Sequence, residues 1–222
     1  MTPPPAIALL GAESTGKTSL ADALAAHLRA QGLRVALVPE VLRAWCEREG
    51  RTPRPDEQQA IAEEQARQVD DAGTVDLVIA DTTPVMTAVY SDLLFEDRSL
   101  YAFALQHQRR YAVTLLSGLD LPWVADGLQR DGPHVREPVD AMVRAALQGA
   151  SLPFQVIYGQ GDERLRQALI AINNIAISPG PAWARATFSL KKEMPASWAC
   201  EACSDPDCEH RLFARLLAKR QP

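Results

Sequence analysis

Residues 6–20 read "AIALLGAESTGKTSL", in which a short apolar run passes directly into a glycine-rich turn. Residues 11–18 of this stretch match the spacing G-x-x-x-x-G-K-[ST] at every position. The glycines of this motif let consecutive backbone N–H groups point at phosphate oxygens, and the helix that follows presents its N-terminus to the same anions. A strand before the turn and an amphipathic helix after it are the context that the motif requires. The sequence therefore predicts a phosphate-binding loop here.

The polar residues of this loop predict a site for ATP and Mg²⁺. Lys17 supplies a positive charge for the β- and γ-phosphates, and the hydroxyl of Thr18 is a ligand for Mg²⁺. Asp81, at the end of another apolar run, provides a second, carboxylate ligand for the metal. We expect the nucleotide to contact Gly11, Glu13, Ser14, Thr15, Gly16, Lys17, Thr18 and Ser19.

The composition limits the classes of protein to which the chain can belong. Its 222 residues are 47% hydrophobic, which suits one domain with room for a small appendage. The net charge of -5 argues against a broad basic face for nucleic acid or an anionic membrane. No stretch approaches the roughly 20 apolar residues of a membrane helix, and the N-terminus lacks the basic start of a signal peptide. We expect a cytoplasmic protein whose partner is a small molecule.

The apolar runs alternate with helix-like stretches, and this order predicts the fold. The runs are short, rich in Val, Ile and Leu, and nearly continuous, as in strands that are buried on both faces. The predicted strands are 6–12, 34–40, 75–83, 111–118 and 153–159, and the predicted helices are 17–32, 55–73, 99–110, 137–149 and 162–174. The alternation indicates an α/β fold, a parallel sheet with helices on both faces, of the kind found in P-loop NTPases and nucleoside kinases.

Polar residues follow the second and third predicted strands, where ligands of such sheets bind. Glu40 is a candidate base for an acceptor hydroxyl or a clamp on its other hydroxyls, and Arg43 follows it. The alternative for Glu40 is a surface carboxylate at a strand end. Asp81 is followed by Thr82, a candidate acceptor contact, and not by the Glu common in ATPases that activate water. The pattern therefore favours phosphoryl transfer to a bound acceptor.

The segment after the fourth strand, "LDLPWVADGLQRDGPHVREP" at 119–138, has the character of a lid. Its arginines, Arg130 and Arg136, are candidates for neutralising charge on the transferred group when such a lid closes. The alternative is a solvated loop with ordinary surface arginines.

Four stretches resemble the ribosylnicotinamide kinase domain of the NadR family, within the wider NadR-like P-loop kinases: "GAESTGKTSL", "VPEVLRAW", "IADTTPVMTAVYS" and, most specifically, "LPWVADGLQRDG". The similarity runs from about residue 7 to about residue 172. It implies transfer of the ATP γ-phosphate to the 5′-hydroxyl of nicotinamide riboside. It also implies that Asp81 serves the metal or the acceptor, that Glu40 and Arg43 face the nucleoside, and that Trp123, Asp126 and Arg130 belong to the lid region.

The chain departs from this family in two respects. The full NadR protein also has an adenylyltransferase domain, whereas this chain starts at the kinase strand. Pro39 and Val41 stand beside Glu40 where aromatics should stack on a pyridine ring, so that Trp45 and Tyr90 are the nearby aromatic candidates. Two alternatives therefore stay open: a nucleotide-dependent switch that uses the C-terminal tail as a partner module, and a kinase for another nucleoside or nucleotide. Turnover with an acceptor separates the switch from a kinase.

The end of the chain carries a possible zinc site. Its ligands would be Cys200, Cys203, Cys208 and His210, spaced C-x₂-C-x₄-C-x-H. A reducing cytosol favours metal binding over a disulfide. The alternative is a reduced, metal-free tail that docks through apolar side chains. We expect a kinase domain at 1–177, a connector at 178–197 and a small Cys/His unit at 198–222.

Overall fold

The computed structural model describes residues 3–124 and 132–176, which form an α/β fold around a parallel sheet. The five strands of this sheet run in the order β2-β3-β1-β4-β5, and every neighbouring pair is parallel. The strands are β1 (Ala6–Leu10), β2 (Val35–Val38), β3 (Leu77–Asp81), β4 (Val113–Ser117) and β5 (Gln155–Ile157). Each predicted apolar run contains one of them, so the predicted fold class is confirmed.

Seven α-helices accompany the sheet within the described residues. They are α1 (Lys17–Ala30), α2 (Val41–Glu49), α3 (Gln58–Asp70), α4 (Pro84–Phe95), α5 (Tyr101–Gln108), α6 (Arg136–Gly149) and α7 (Gly161–Ala176). Short 3-10 helices at Pro55–Glu57 and Pro133–Val135 precede α3 and α6. The sequence predicted five of the seven helices, whereas α2 and α4 were not predicted.

The topology places the turn after β1 at the switch point of the sheet. Strand β1 lies between β3 and β4, with Leu9 in register with Asp81 and Leu10 in register with Leu116. The chain fills one side of β1 with β2 and β3 before it crosses to the other side for β4 and β5. Ligands of open parallel sheets bind beyond the carboxyl ends of the strands at such a point.

Helices cover both faces of the sheet. All five residues of β1 are fully buried. Ala6 and Ala8 pack in a cluster with Val69 of α3, and Leu10 packs in a second cluster with residues of α4, α5 and α6. Helices α1 and α7 contact each other and pack against strands as well. This burial on both sides explains why the strands are apolar without alternation.

Several predictions fall outside the described residues. These are the connector at 178–197, the Cys/His unit at 198–222, and the lid residues Asp126 and Arg130. In the part of the chain that is described, no helix is long and apolar enough to cross a membrane.

Candidate active site

The loop between β1 and α1 has the backbone that its glycines allow. Gly11 has a φ of +144° and Gly16 has a φ of +72°, both in the region that residues with a Cβ atom avoid. A Cβ atom on Gly11 would also lie 3.0 Å from the Cβ of Ser117 and 3.0 Å from the Oγ1 of Thr15. Both glycines are therefore required by the shape of the loop as well as by its motif.

The side chains of the loop reinforce this shape. The hydroxyl of Thr15, which is fully buried, donates a hydrogen bond of 2.8 Å to the carbonyl oxygen of Ala12. The Nζ of Lys17 donates to the same carbonyl over 2.9 Å. Lys17 is the first residue of α1, so its charge and the positive end of the helix dipole lie together at the loop. This combination is suited to a polyphosphate.

Thr18 and Asp81 meet although 63 residues separate them in the chain. The hydroxyl of Thr18 donates a hydrogen bond of 2.6 Å to the Oδ2 of Asp81. Asp81 is 4% exposed, and its Oδ1 finds no hydrogen-bond partner among the described residues. A hydroxyl and a carboxylate with a free oxygen are hard ligands that fit Mg²⁺. No group of three or more His, Cys, Asp or Glu side chains could hold a metal in the described ranges.

One cleft of about 910 Å³ extends from the loop to α2, α4 and the segment that precedes α3. Residues 13–19 of the loop line one part of it. The remaining lining residues are Glu40, Leu42, Arg43, Cys46, Glu47, Thr52, Pro53, Arg54, Pro55, Gln58, Tyr90, Leu94 and Phe95. The predicted loop residues from Glu13 to Ser19 thus share a cavity with Glu40 and Arg43.

Glu40 and Arg43 project from the start of α2. Glu40 immediately precedes this helix, and its side chain is 16% exposed. The Nε of Arg43 lies 3.7 Å from the Oε2 of Glu40. An ion pair one helical turn apart fixes both groups on the same side of the helix. A carboxylate and a guanidinium therefore face the cleft together.

Thr82, Arg136 and Trp123, like Gly11 and Asp81, are predicted residues that are not among the lining residues of this cavity. Thr82 is buried with a φ of +83°, and within the described ranges its hydroxyl has no hydrogen-bond partner. Arg136 is buried at the start of α6, where it donates to the carbonyl oxygen of Leu119 over 3.3 Å. Trp123 is half-buried in the segment after β4. These three do not belong to the described residues that line the cleft.

The segment after β4 is tied to the loop by the backbone of Val124. Its N–H donates a hydrogen bond of 2.8 Å to the Oγ of Ser14. Leu121 lies over the other end of the loop, since a Cβ atom on Gly16 would be 2.8 Å from its Cδ1. The predicted lid region therefore begins in contact with the phosphate-binding loop.

The two aromatic candidates have different surroundings. Tyr90 lines the cleft, together with Phe95 from the same helix. The guanidinium of Arg51 lies over the ring of Trp45, 4.7 Å from the ring centre. Trp45 is thus engaged in a cation–π contact, and Tyr90 and Phe95 are the aromatic residues among the described residues that line the cleft.

Ion pairs hold the segment 51–57, of which residues 52–55 line the cleft. Glu57 accepts hydrogen bonds of 2.7 and 2.8 Å from the guanidinium of Arg51, and one of 2.8 Å from the backbone N–H of Arg54. These bonds lower the pKa of Glu57 to about 2. The adjoining thiol of Cys46 is perturbed in the opposite sense, since burial and the charge of Glu40 raise its pKa to about 11. The raised pKa favours the protonated thiol of Cys46 at neutral pH.

A buried arginine, Arg164, bonds the backbone of the phosphate-binding loop. The sequence did not predict this contact. Arg164, near the start of α7, is 4% exposed. Its Nη2 donates to the carbonyl oxygen of Thr15 over 2.8 Å. Its Nη1 donates to the carbonyl oxygen of Gly159 over 2.8 Å and to the Oδ1 of Asp120 over 3.2 Å. Arg164 therefore joins the phosphate-binding loop to the segments that follow β4 and β5.

Comparison with known proteins places this geometry in context. The family described as "AAA domain" matches residues 6–164. The crystal structure of NadR protein in complex with NR is similar, with a TM-score of 0.64 and 18% identity over 78% of this chain and 51% of that one. NadR protein in complex with NAD and AMP-PNP has a TM-score of 0.59 and 17% identity, over 78% and 49% of the two chains. This chain thus spans about half the length of these NadR proteins, and it shares their fold. No functionally curated protein matches it.

Proposed function

This chain belongs to the AAA domain family, and we propose that it is a kinase that transfers the γ-phosphate of ATP to the 5′-hydroxyl of a nucleoside. The acceptor that we favour is nicotinamide riboside, which would give nicotinamide mononucleotide, a step in NAD biosynthesis. The observation that carries the proposal is the cleft that the loop residues 13–19 share with Glu40 and Arg43. Its volume of about 910 Å³ is at the upper end of the range of small-molecule sites.

The residues of the cleft, together with Asp81 behind Thr18, have complementary parts in this reaction. The loop N–H groups, the α1 N-terminus and Lys17 would hold the phosphates of ATP. Thr18 and Asp81 would hold Mg²⁺, which neutralises charge on the phosphates when it is bound. The acceptor oxygen forms a bond to the γ-phosphorus, the bond from that phosphorus to the β–γ bridging oxygen breaks, and ADP leaves. The carboxylate of Glu40 would take the proton of the attacking hydroxyl.

Two features support nicotinamide riboside as the acceptor. The fold is that of NadR, which has been crystallised with NR. Tyr90 and Phe95 line the cleft, and aromatic faces attract a positively charged pyridinium ring. These two rings would stack on the pyridine ring, which Pro39 and Val41 beside Glu40 cannot do. Asp126 and Arg130 stay proposals for the lid, as does Arg136 for the transferred phosphate.

Release of ADP across a panel of acceptors tests the proposal. The panel holds nicotinamide riboside, the common nucleosides, several nucleoside monophosphates and a control without acceptor. We expect stimulation by nicotinamide riboside. Stimulation by another member would keep the kinase and change the acceptor. Slow hydrolysis of ATP that no acceptor stimulates, with ATP still bound tightly, would refute the kinase and favour a nucleotide-dependent switch.

The role of Glu40 is tested separately, with a control from the helix that follows it. Glu40→Gln should lower kcat at least ~100-fold, as is usual for the loss of a general base. Glu47→Gln removes another carboxylate that lines the cleft, and it should leave kcat within about threefold of wild type because Glu47 has no part in the proton transfer. A Glu40→Gln effect on KM alone would make Glu40 a binding group instead.

We propose a structural zinc site for the C-terminal unit at 198–222, which follows the connector at 178–197. Its ligands would be Cys200, Cys203, Cys208 and His210, whose types and number suit tetrahedral zinc. Cysteines stay reduced for such a role in the cytoplasm, which is our proposed location. Metal analysis after purification without chelator should find about one zinc per chain. A chain free of zinc would refute the assignment.

A further inference from the structure

Gln58, the first residue of α3, is a buried polar side chain in the wall of the cleft. It is 2% exposed, and its Oε1 has no hydrogen-bond partner in the described part of the chain. A buried carbonyl oxygen without a partner costs free energy, because it has given up its bonds to water. Because Gln58 lines the cleft, a ligand bound there would supply the missing donor once the carboxamide rotates toward it.

The two other buried glutamines among the described residues show what a structural glutamine does in this protein. The Oε1 of Gln65 accepts from the N–H of Val41 over 2.9 Å, and its Nε2 donates to the carbonyl oxygen of Pro39 over 3.2 Å. The Oε1 of Gln108 accepts from Thr83, and its Nε2 donates to Thr114. Both carboxamides are satisfied at both ends. Neither of them lines the cleft.

The surroundings of Gln58 suit a flat ring with a polar substituent. Tyr90, Leu94 and Phe95 contribute apolar and aromatic surface to the same cleft. Arg54 also lines it, but its guanidinium already bonds the Oε1 of Glu57 over 3.0 Å. A carboxylate on the ring would therefore compete with Glu57 for this arginine. An uncharged substituent that donates a hydrogen bond meets no such competition.

We propose that Gln58 is a specificity-determining residue that recognises a carboxamide on the acceptor ring. This inference rests on the proposed function and deepens it. The Oε1 of Gln58 accepts from an N–H of the ring carboxamide, and its Nε2 can donate to the carbonyl oxygen of that group. A nicotinate ring has a carboxylate at this position, which accepts hydrogen bonds and donates none at neutral pH. Nicotinate would therefore leave Oε1 without a donor and place a carboxylate oxygen next to it, where the two oxygens repel each other.

The test compares nicotinamide riboside with nicotinic acid riboside as acceptors. Wild type should prefer the amide by at least ~10-fold in kcat/KM, because a site built to bond an N–H group rejects an analogue that lacks it. Gln58→Met keeps the length of the side chain and removes its polar atoms. It should lose at least ~10-fold in kcat/KM for the amide and change little for the acid. Gln59→Met is the control, since Gln59 is exposed on the same helix and bonds Glu63.

Thermal stability separates this role from a structural one. Gln58→Met should leave the Tm of the ligand-free protein unchanged or raise it, because an unpaired buried oxygen is removed. A fall in Tm, with equal losses for both acceptors, would overturn the inference and make Gln58 a structural residue. An unchanged preference in Gln58→Met would overturn it too.

Binding measurements distinguish failure of this inference from failure of the proposed function. The rise in Tm that each riboside produces is measured for wild type and for Gln58→Met. Phosphorylation of nicotinamide riboside without preference for the amide would overturn the role of Gln58 and keep the kinase. Amide-selective binding that Gln58→Met abolishes, without phosphorylation, would support Gln58 and refute the kinase. A wild type that neither binds nor phosphorylates either riboside would overturn both.

Discussion

Replacing Arg164 by methionine should destabilise the protein and lower its affinity for ATP. The substitution keeps an unbranched side chain in the buried position and removes its charge and all its donors. Three acceptors lose their partner: the carbonyl oxygens of Thr15 and Gly159, and the Oδ1 of Asp120. Thr15 belongs to the phosphate-binding loop and is fully buried, so water cannot readily replace the lost donor. The loop should therefore lose the support that fixes its carbonyl.

The size of the effect follows from these contacts. A hydrogen bond from a charged donor contributes about 1.5–3 kcal/mol, and removing one partner of a buried ion pair costs about 3–5 kcal/mol. The side chain of Asp120 is 31% exposed, so water can solvate it and the cost falls below that range. We expect a loss of about 3 kcal/mol in the free energy of unfolding. For a chain of this size that corresponds to a fall in Tm of about 6–12 °C.

Thermal unfolding with and without ATP and Mg²⁺ measures both effects. The matched control is Arg166→Met on the same helix, since Arg166 pairs with Glu163 at the surface. That variant should change stability by about 0.5 kcal/mol or less. An Arg164→Met protein as stable as Arg166→Met would refute the reasoning. A lower Tm with unchanged affinity for ATP would confine Arg164 to a structural role and refute its support of the loop.

Three further predictions concern single side chains of the cleft. Lys17→Ala should abolish phosphoryl transfer and leave the Tm within about 2 °C of wild type, and retained activity would refute the role of the loop. The pKa of Cys46 is raised from 9.0 to about 11, so its thiol should react with iodoacetamide about 100-fold more slowly than a free thiol at pH 7.5. Mass spectrometry of the peptide that contains Cys46 measures this rate, and rapid modification would contradict the prediction. Glu57→Gln should lower the Tm at pH 7. The difference in Tm from wild type should shrink as the pH falls from about 4.5 toward about 2. The reason is that a carboxylate with a lowered pKa stabilises the fold above its unfolded pKa and loses this effect as it is protonated. A gap that does not vary with pH would refute the role of the Glu57 charge.

The strands and five of the helices could be predicted because their burial leaves a pattern in the sequence. A strand covered on both faces is a short continuous apolar run, and a helix on one face of the sheet alternates with a period near 3.6 residues. Helix α4 breaks the second rule. Most of its residues from Pro84 to Ser91 are buried, since it lies among α3, α5 and α6, and a helix buried on nearly all sides has no polar face. Helix α2 has nine residues, too few for its period to stand out.

The site was predictable to the extent that the topology of the sheet determines it. A parallel sheet brings the ends of its strands to one edge. The loop after β1, Glu40 after β2 and Asp81 at the end of β3 therefore had to lie at the same edge. Gln58 and Arg164 are different. Their roles depend on how deeply each side chain is buried and on which atoms surround it. A single polar residue in the sequence of an amphipathic helix does not reveal either. A glutamine in this sequence is equally compatible with three situations. Gln59 is exposed and bonds Glu63 one turn away, and Gln65 is satisfied by backbone groups. Gln58 is buried beside the cleft, and its Oε1 has no partner among the described residues. The phosphate-binding loop is therefore visible in the sequence, whereas the roles of Gln58 and Arg164 depend on packing that only the structure supplies.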